Sequence, residues 1–141
     1  MHAVALAGRI MFSLMFLQSG INHLRKRQYM AEYAGQMGVP APGASVVLSG
    51  VVIFVGAAMV IAGVWGDVGA FVLAGFLLVT AFQMHPFWKL HDPQMKQNQH
   101  INFWKNISMA GGALATAAWF LCAPHAVAVT SPLLSHWIHT G

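Results

Sequence analysis

From Ala44 to Trp65 the chain carries no charged residue. Three further segments are nearly as apolar: about Val4 to Ile21, interrupted by Arg9; about Val68 to Met84; and about Ile107 to Cys122. Each approaches the roughly 20 residues needed to cross the hydrocarbon core of a bilayer. In lipid every backbone N–H and C=O needs a partner within the protein, and a helix supplies one for each inside a single segment. A soluble bundle would need a polar face on every helix, and these segments have almost none. Only 7% of the 141 residues are charged while 57% are hydrophobic, against roughly 25% charged in a soluble domain. The expected fold is all-α, a polytopic membrane bundle of four transmembrane helices over residues 1–122, with a short outer-face tail at 123–141.

The connections set the expected topology. Arg25, Lys26 and Arg27 open the first one, and Gln28 to Met37 is expected to form a short interfacial helix with Tyr29, Met30, Tyr33 and Met37 toward the lipid. Gly38, Pro40 and Pro42 then break it. Trp65-Gly66-Asp67 is a tight turn that makes the next two helices an antiparallel hairpin. Pro86 to Phe103, with Lys89 and Lys96, forms the last long connection. With Lys105, these two connections hold six of the seven Lys and Arg residues. The positive-inside rule places them in the cytoplasm of a bacterial-type inner membrane, with the termini and the Asp67 turn outside. Trp65 and Trp119 then belong to the outer interface, Trp88 and Trp104 to the inner one. The opening residues lack the basic start of a cleaved signal, so the first segment reads as a retained helix. Three small-residue pairs, Ser45 with Ser49, Gly56 with Gly63 and Gly111 with Ala115, suggest where backbones approach closely.

Two polar groupings stand out. Arg9 lies about a turn and a half inside the first helix, on one face with Ser13 and Gly20; it either snorkels to the outer interface or meets a counter-ion such as Asp67 or the C-terminal carboxylate. Near the opposite face, Gln18, Asn22 and His23 end the first helix, Thr80, Gln83 and His85 end the third, and Asn102, Lys105 and Asn106 form a polar face at the start of the fourth. Amides, a histidine and a lysine at one depth suit a lipid-accessible pocket for a quinone head group, whose carbonyl oxygens accept hydrogen bonds. The competing reading is that most of these groups cap helix ends and meet headgroup water. The eight histidines sit at helix ends, in loops or in the tail, without the spacing of a zinc or haem site, so no metal is expected. Cys122 is alone, which excludes an internal disulfide. No basic stripe carries interleaved aromatics, which argues against nucleic acid.

Several of these strings have a familiar order. Gly8-Arg9-Ile10, Phe16-Leu17-Gln18-Ser19-Gly20-Ile21-Asn22-His23-Leu24, Gly38-Val39-Pro40-Ala41-Pro42, His85-Pro86-Phe87-Trp88 and Phe103-Trp104-Lys105-Asn106-Ile107-Ser108-Met109-Ala110-Gly111-Gly112 together resemble the DoxX-like family over about residues 6–115. That resemblance implies a four-helix membrane fold and a redox setting, since family members are linked to thiosulfate:quinone oxidoreductase and to thiol and oxidative-stress complexes. The family often carries a Glu in the second helix within Gly-x-x-Glu-x-x-Gly; here the frame Gly50 to Gly56 holds Ile53 at that position. The expected function is a non-catalytic accessory subunit of a membrane-bound redox complex. It would contact lipid and other membrane subunits, with quinone or lipid as a possible bound molecule and nothing bound covalently. The alternative is a quinone-interacting subunit of a thiosulfate:quinone type oxidoreductase.

Overall fold

A computed structural model describes residues 2–122, 129 and 130. Five α-helices run in order: α1 (His2–Arg25), α2 (Arg27–Gln36), α3 (Pro42–Ala62), α4 (Gly66–Met84) and α5 (Pro93–Cys122), with a single 3-10 turn at Phe87–Lys89. No strand occurs among the described residues. The four long helices form an up-and-down bundle in which α1 packs on α3, α3 on α4 and α4 on α5, while α2 folds against α3.

The helix ends follow local chemistry. Pro42 opens α3, where its missing N–H costs nothing and its fixed φ suits the first turn. Gly63 closes the same helix in the left-handed region, with φ 68°, a conformation glycine adopts without penalty. Trp65, also left-handed at φ 46°, does not end the second apolar helix, as the sequence suggests, but begins the next one. Asp92 accepts a hydrogen bond from the Met95 N–H at 2.8 Å, which caps α5, and Pro93 follows at its first position. The expected loop from Pro86 to Phe103 is therefore mostly helix. Its Gln, Lys and Asn residues are good or neutral helix formers, and they extend α5 beyond the apolar segment.

Three helical segments are long and apolar enough to cross a membrane: Ala3–Arg25, Pro42–Ala62 and Gly66–Lys89. The expected fourth span differs. Although α5 is the longest helix at 30 residues, its N-terminal part is polar, and only Ile107 to Cys122 matches the other three in character.

Glycine sets how closely the helices approach. A Cβ on Gly50 would stand 2.7 Å from His23 Cβ, and one on Gly20 would stand 2.8 Å from the Gly50 carbonyl oxygen. Thus α1 and α3 cross through this pair. Gly56 makes the matching contact with Gly69 of α4. The expected pairing of Gly56 with Gly63 is half right, because Gly63 is used as a cap. Gly111 and Ala115 are exposed, and Gly111 has nothing near its missing Cβ. The packing face of α5 is instead Ala110, Ala113, Ala117 and Phe120. These meet Phe16, Ile53, Ala57, Val60, Ala70, Leu73, Ala74 and Leu77 in the core. Many large apolar side chains, Met11, Leu48 and Val79 among them, face outward, as lipid-facing positions do.

Beyond α5, the Val129 N–H donates to the Gly63 carbonyl at 3.1 Å, and Thr130 Oγ1 accepts from the Trp65 N–H at 2.9 Å. The chain that leaves α5 therefore returns to the α3–α4 turn. The tail histidines His125, His136 and His139 lie outside the described residues.

Candidate functional site

The end of the bundle that carries six of the seven Lys and Arg residues holds a cavity of about 740 Å³, within the range of roughly 300–1,000 Å³ that small-molecule sites occupy. Its floor is apolar: Phe16, Val46, Phe76, Leu77 and Met109. Met15 and Val79, both lining it, are also exposed on the outer surface of the bundle. The cavity therefore opens sideways, toward the region where acyl chains lie.

Six of the eight residues expected to form a polar pocket line this cavity: His23, Gln83, His85, Asn102, Lys105 and Asn106. Gln18 and Asn22 do not. Gln18 is exposed and Asn22 half-buried on α1, because the face of that helix turned to the cavity is Met15, Phe16, Ser19 and His23. At 100° per residue, Gln18 and Asn22 sit about a quarter turn away from Ser19 and His23. Sequence reasoning also misplaced Met30 and Tyr33. Both were expected to face lipid, and both line the cavity from α2, while Tyr29 on the same helix is exposed. Thr80, Ser45 and Ser49 complete the polar lining; for the two serines the i, i+4 spacing was the available signal.

Hydrogen bonds fix several of these groups. The His23 Nδ1–H donates to the Ser19 carbonyl oxygen at 2.8 Å. A carbonyl only accepts, so Nδ1 carries the proton and Nε2 is the acceptor of the neutral ring. His85 is set in the same way: Nδ1 donates to Gln99 Oε1 at 2.6 Å, and Gln99 Nε2 donates to the Tyr33 hydroxyl at 3.2 Å. This chain ties the end of α4 and the start of α5 to α2. Gln83 Nε2 reaches the Met37 carbonyl at 3.4 Å, a second tie across the same mouth. Ser45 and Ser49 donate to the carbonyls of Pro40 and Val46. Lys105 Nζ donates to Asn102 Oδ1 at 3.3 Å. Asn106 is only 7% exposed, and its carboxamide has no hydrogen-bond partner among the described residues.

No carboxylate of the described residues lines the cavity. Of the three acidic residues, Glu32 is exposed on α2, Asp92 caps α5 and Asp67 is buried at the far end of the bundle. Among the described residues no cluster of three His, Cys, Asp or Glu side chains has the arrangement of a metal site.

Arg9 lies at that far end. It does not snorkel: only 5% of it is exposed. Its Nη2 donates to the Ile61 carbonyl at 3.1 Å, and the guanidinium carbon sits 5.2 Å from the centre of the Phe120 ring and 5.5 Å from that of Trp119. The ring faces hold the charge by cation–π attraction, which is strongest where water is excluded. Ser13, one turn along, is fully buried with no hydrogen-bond partner for its Oγ. Ile53, at the position of the family's helix-two acid, is completely buried in the apolar core.

The DoxX family model matches residues 4–86. That match contains α1 to α4 and the His85-Pro86 pair; Phe103 to Gly112 falls beyond it. One relative is the inner membrane protein YphA of Escherichia coli (strain K12), 28% identical over 112 residues, 79% of this chain and 79% of that one. No solved structure matches the chain. With the family match covering more than half of the length and three apolar helices of membrane-crossing length, the chain is a membrane protein and belongs to the DoxX family.

Proposed function

We propose that this protein is a non-catalytic accessory subunit of a membrane-bound redox complex, and that its cavity holds a membrane-soluble amphiphile. The observation that carries the reading is the cavity itself. It has an apolar floor, a polar mouth and a lateral opening between Met15 and Val79. An amphiphile of the bilayer satisfies all three: its chain covers the apolar lining and its head meets the amides, His23, His85 and Lys105. The accessory role is supported by Ile53, which fills the place of the family's helix-two acid with an aliphatic side chain. No proton can be held there.

In this reading the bundle crosses the membrane four times. Support comes from the course of α5, which begins beside the cavity and is followed by Val129 and Thr130 at the opposite end, on Gly63 and Trp65. The membrane is the inner one, as the name of the Escherichia coli relative states for that protein. The basic connections lie in the cytoplasm by the positive-inside rule, and the Asp67 turn faces out.

A second reading is favoured by the fixed tautomers of His23 and His85. Each leaves Nε2 as the remaining polar atom of a cavity-lining ring. As an acceptor, such a nitrogen takes the hydrogen bond of a hydroxyl, which suits the reduced, quinol form of a quinone head group. The chain would then be a quinone-interacting subunit of an oxidoreductase of the thiosulfate:quinone type, with electrons supplied by a partner.

Purification from membranes in mild detergent, followed by mass-spectrometric identification of what co-purifies, tests the accessory role. Stoichiometric recovery with redox subunits is expected. Recovery of a lone monomer at native expression level contradicts it. Loss of quinone reduction by the intact complex in His85→Ala, with assembly preserved, would favour the second reading; unchanged turnover would remove it.

A further inference from the structure

The chemistry of the cavity mouth narrows its occupant. This step rests on the amphiphile reading above and names the head group. Among the described residues, the one charged side chain lining the mouth is a cation, and the exposed Glu32 on α2 does not line it. Lys105 lines it, Arg25, Lys26 and Arg27 lie just past His23, and none of the acidic residues contributes to the lining. A cation facing a mouth without carboxylates draws an anion.

Asn106 adds a separate observation. Its side chain is more than nine-tenths buried, lines the cavity and has no protein hydrogen-bond partner among the described residues. The carboxamide is not sealed in the core but opens onto the cavity, within reach of a bound molecule. The neighbouring Asn102 accepts from Lys105 through its Oδ1, and Ser45 and Ser49 donate to backbone carbonyls. Asn106 thus keeps both N–H donors available beside the lysine in sequence, and Asn102, which uses only its oxygen, keeps its own N–H donors next to it. A tetrahedral anion with several acceptor oxygens uses a lysine and an amide together.

We propose that the cavity binds the phosphate head of an anionic membrane phospholipid, with Lys105 as counter-charge and the Asn106 carboxamide as hydrogen-bond donor. The upper part of an acyl chain lies on Phe16, Leu77 and Met109 and leaves past Met15 and Val79. The volume of about 740 Å³ suits a head group and the first part of a chain rather than a whole lipid.

The full-length protein, delipidated in mild detergent, is titrated with phosphatidylglycerol, with phosphatidylcholine of the same acyl chains and with decylubiquinone, and bound molecules are counted by native mass spectrometry. One phosphatidylglycerol per chain is expected, at least tenfold preferred over phosphatidylcholine. Lys105→Gln is expected to remove that preference. Asn106→Leu is expected to weaken phosphatidylglycerol at least tenfold while the lipid-free protein melts no lower than wild type, because the variant removes an unpaired amide. A merely structural Asn106 would give the reverse, a lower melting temperature and intact selectivity. Equal binding of the two phospholipids overturns the anionic head and leaves the cavity reading standing. Preference for decylubiquinone overturns the phospholipid in favour of the quinone. Binding of none of the three overturns both the inference and the cavity reading. Should Asn106→Leu fail to fold, Lys105→Gln, a surface change, decides alone.

Discussion

His85 Nδ1 donates to Gln99 Oε1 at 2.6 Å, and through Gln99 the end of α4 is tied to Tyr33 on α2. Three helices, α2, α4 and α5, meet in this chain at the cavity mouth. Gln99 is the only member that both accepts and donates, so its loss breaks both bonds at once. In Gln99→Leu, amide hydrogen exchange across Arg27 to Gln36 is expected to quicken about fivefold, corresponding to roughly 1 kcal/mol of lost local stability. Exchange in Pro42 to Ala62 is expected to stay unchanged. Uniform acceleration across all helices would mean that the contact supports the whole bundle and not α2 alone.

The crossing of α3 and α4 predicts a contrast between two glycines. A Cβ on Gly69 would stand 2.7 Å from the Gly56 carbonyl oxygen, a backbone atom that moves only with its helix. Gly69→Ala is expected to cost about 1–3 kcal/mol, the usual cost of overpacking. Gly111 has nothing within 4 Å of its missing Cβ. Gly111→Ala is expected to be neutral or to stabilise by up to about 1 kcal/mol, by helix propensity. Thermal melts of the two variants in one detergent check the pair; equal losses would contradict the helix crossing described here.

At the other end, Arg9→Ala removes the hydrogen bond to the Ile61 carbonyl and the charge over Trp119 and Phe120. A loss of about 2–4 kcal/mol is expected. The quenching environment of Trp119 changes with it, so tryptophan fluorescence should shift in the same variant. A melting temperature equal to that of wild type would show that the buried cation contributes nothing to the bundle.

Ser13 predicts the opposite sign. Its Oγ is buried without a partner, so Ser13→Ala removes an uncompensated polar atom and leaves the packing nearly unchanged. Stability is expected to stay level or to rise by about 1 kcal/mol. A clear loss in the same thermal melt would mean that the hydroxyl is engaged in the native membrane.

The membrane class and the helix order were legible because hydropathy acts on whole segments, and a charge-free run such as Ala44 to Trp65 has few folded alternatives. The polar pocket was legible in part. Counting along helices places residues at one depth, and His23, His85 and Lys105 line one cavity. Counting does not fix helix rotation, and that is where Gln18 and Asn22 went wrong. Their amides look equivalent to Asn102 and Asn106 in sequence but lie about a quarter turn off the inner face of α1. Rotation is decided by where glycines let neighbours in, here Gly20 against Gly50. Tyr33 and Met30 were misplaced for a related reason: an amphipathic pattern shows which face of α2 is apolar, not whether lipid or a cavity receives it. The early start of α5 was signalled by Asp92-Pro93, a capping pair that the polar residues after it obscured.

The course of α5 decides the topology, since a polar first half makes it the least apolar of the four long helices. In a Cys122→Ser background, Gln97→Cys at its start and Val129→Cys beyond its end are labelled with a membrane-impermeant maleimide on intact spheroplasts and again after permeabilisation. Both native side chains are exposed. Position 129 is expected to react in intact spheroplasts and position 97 only after permeabilisation. Reaction of both positions from the same side would contradict a four-span bundle with its cavity facing the cytoplasm.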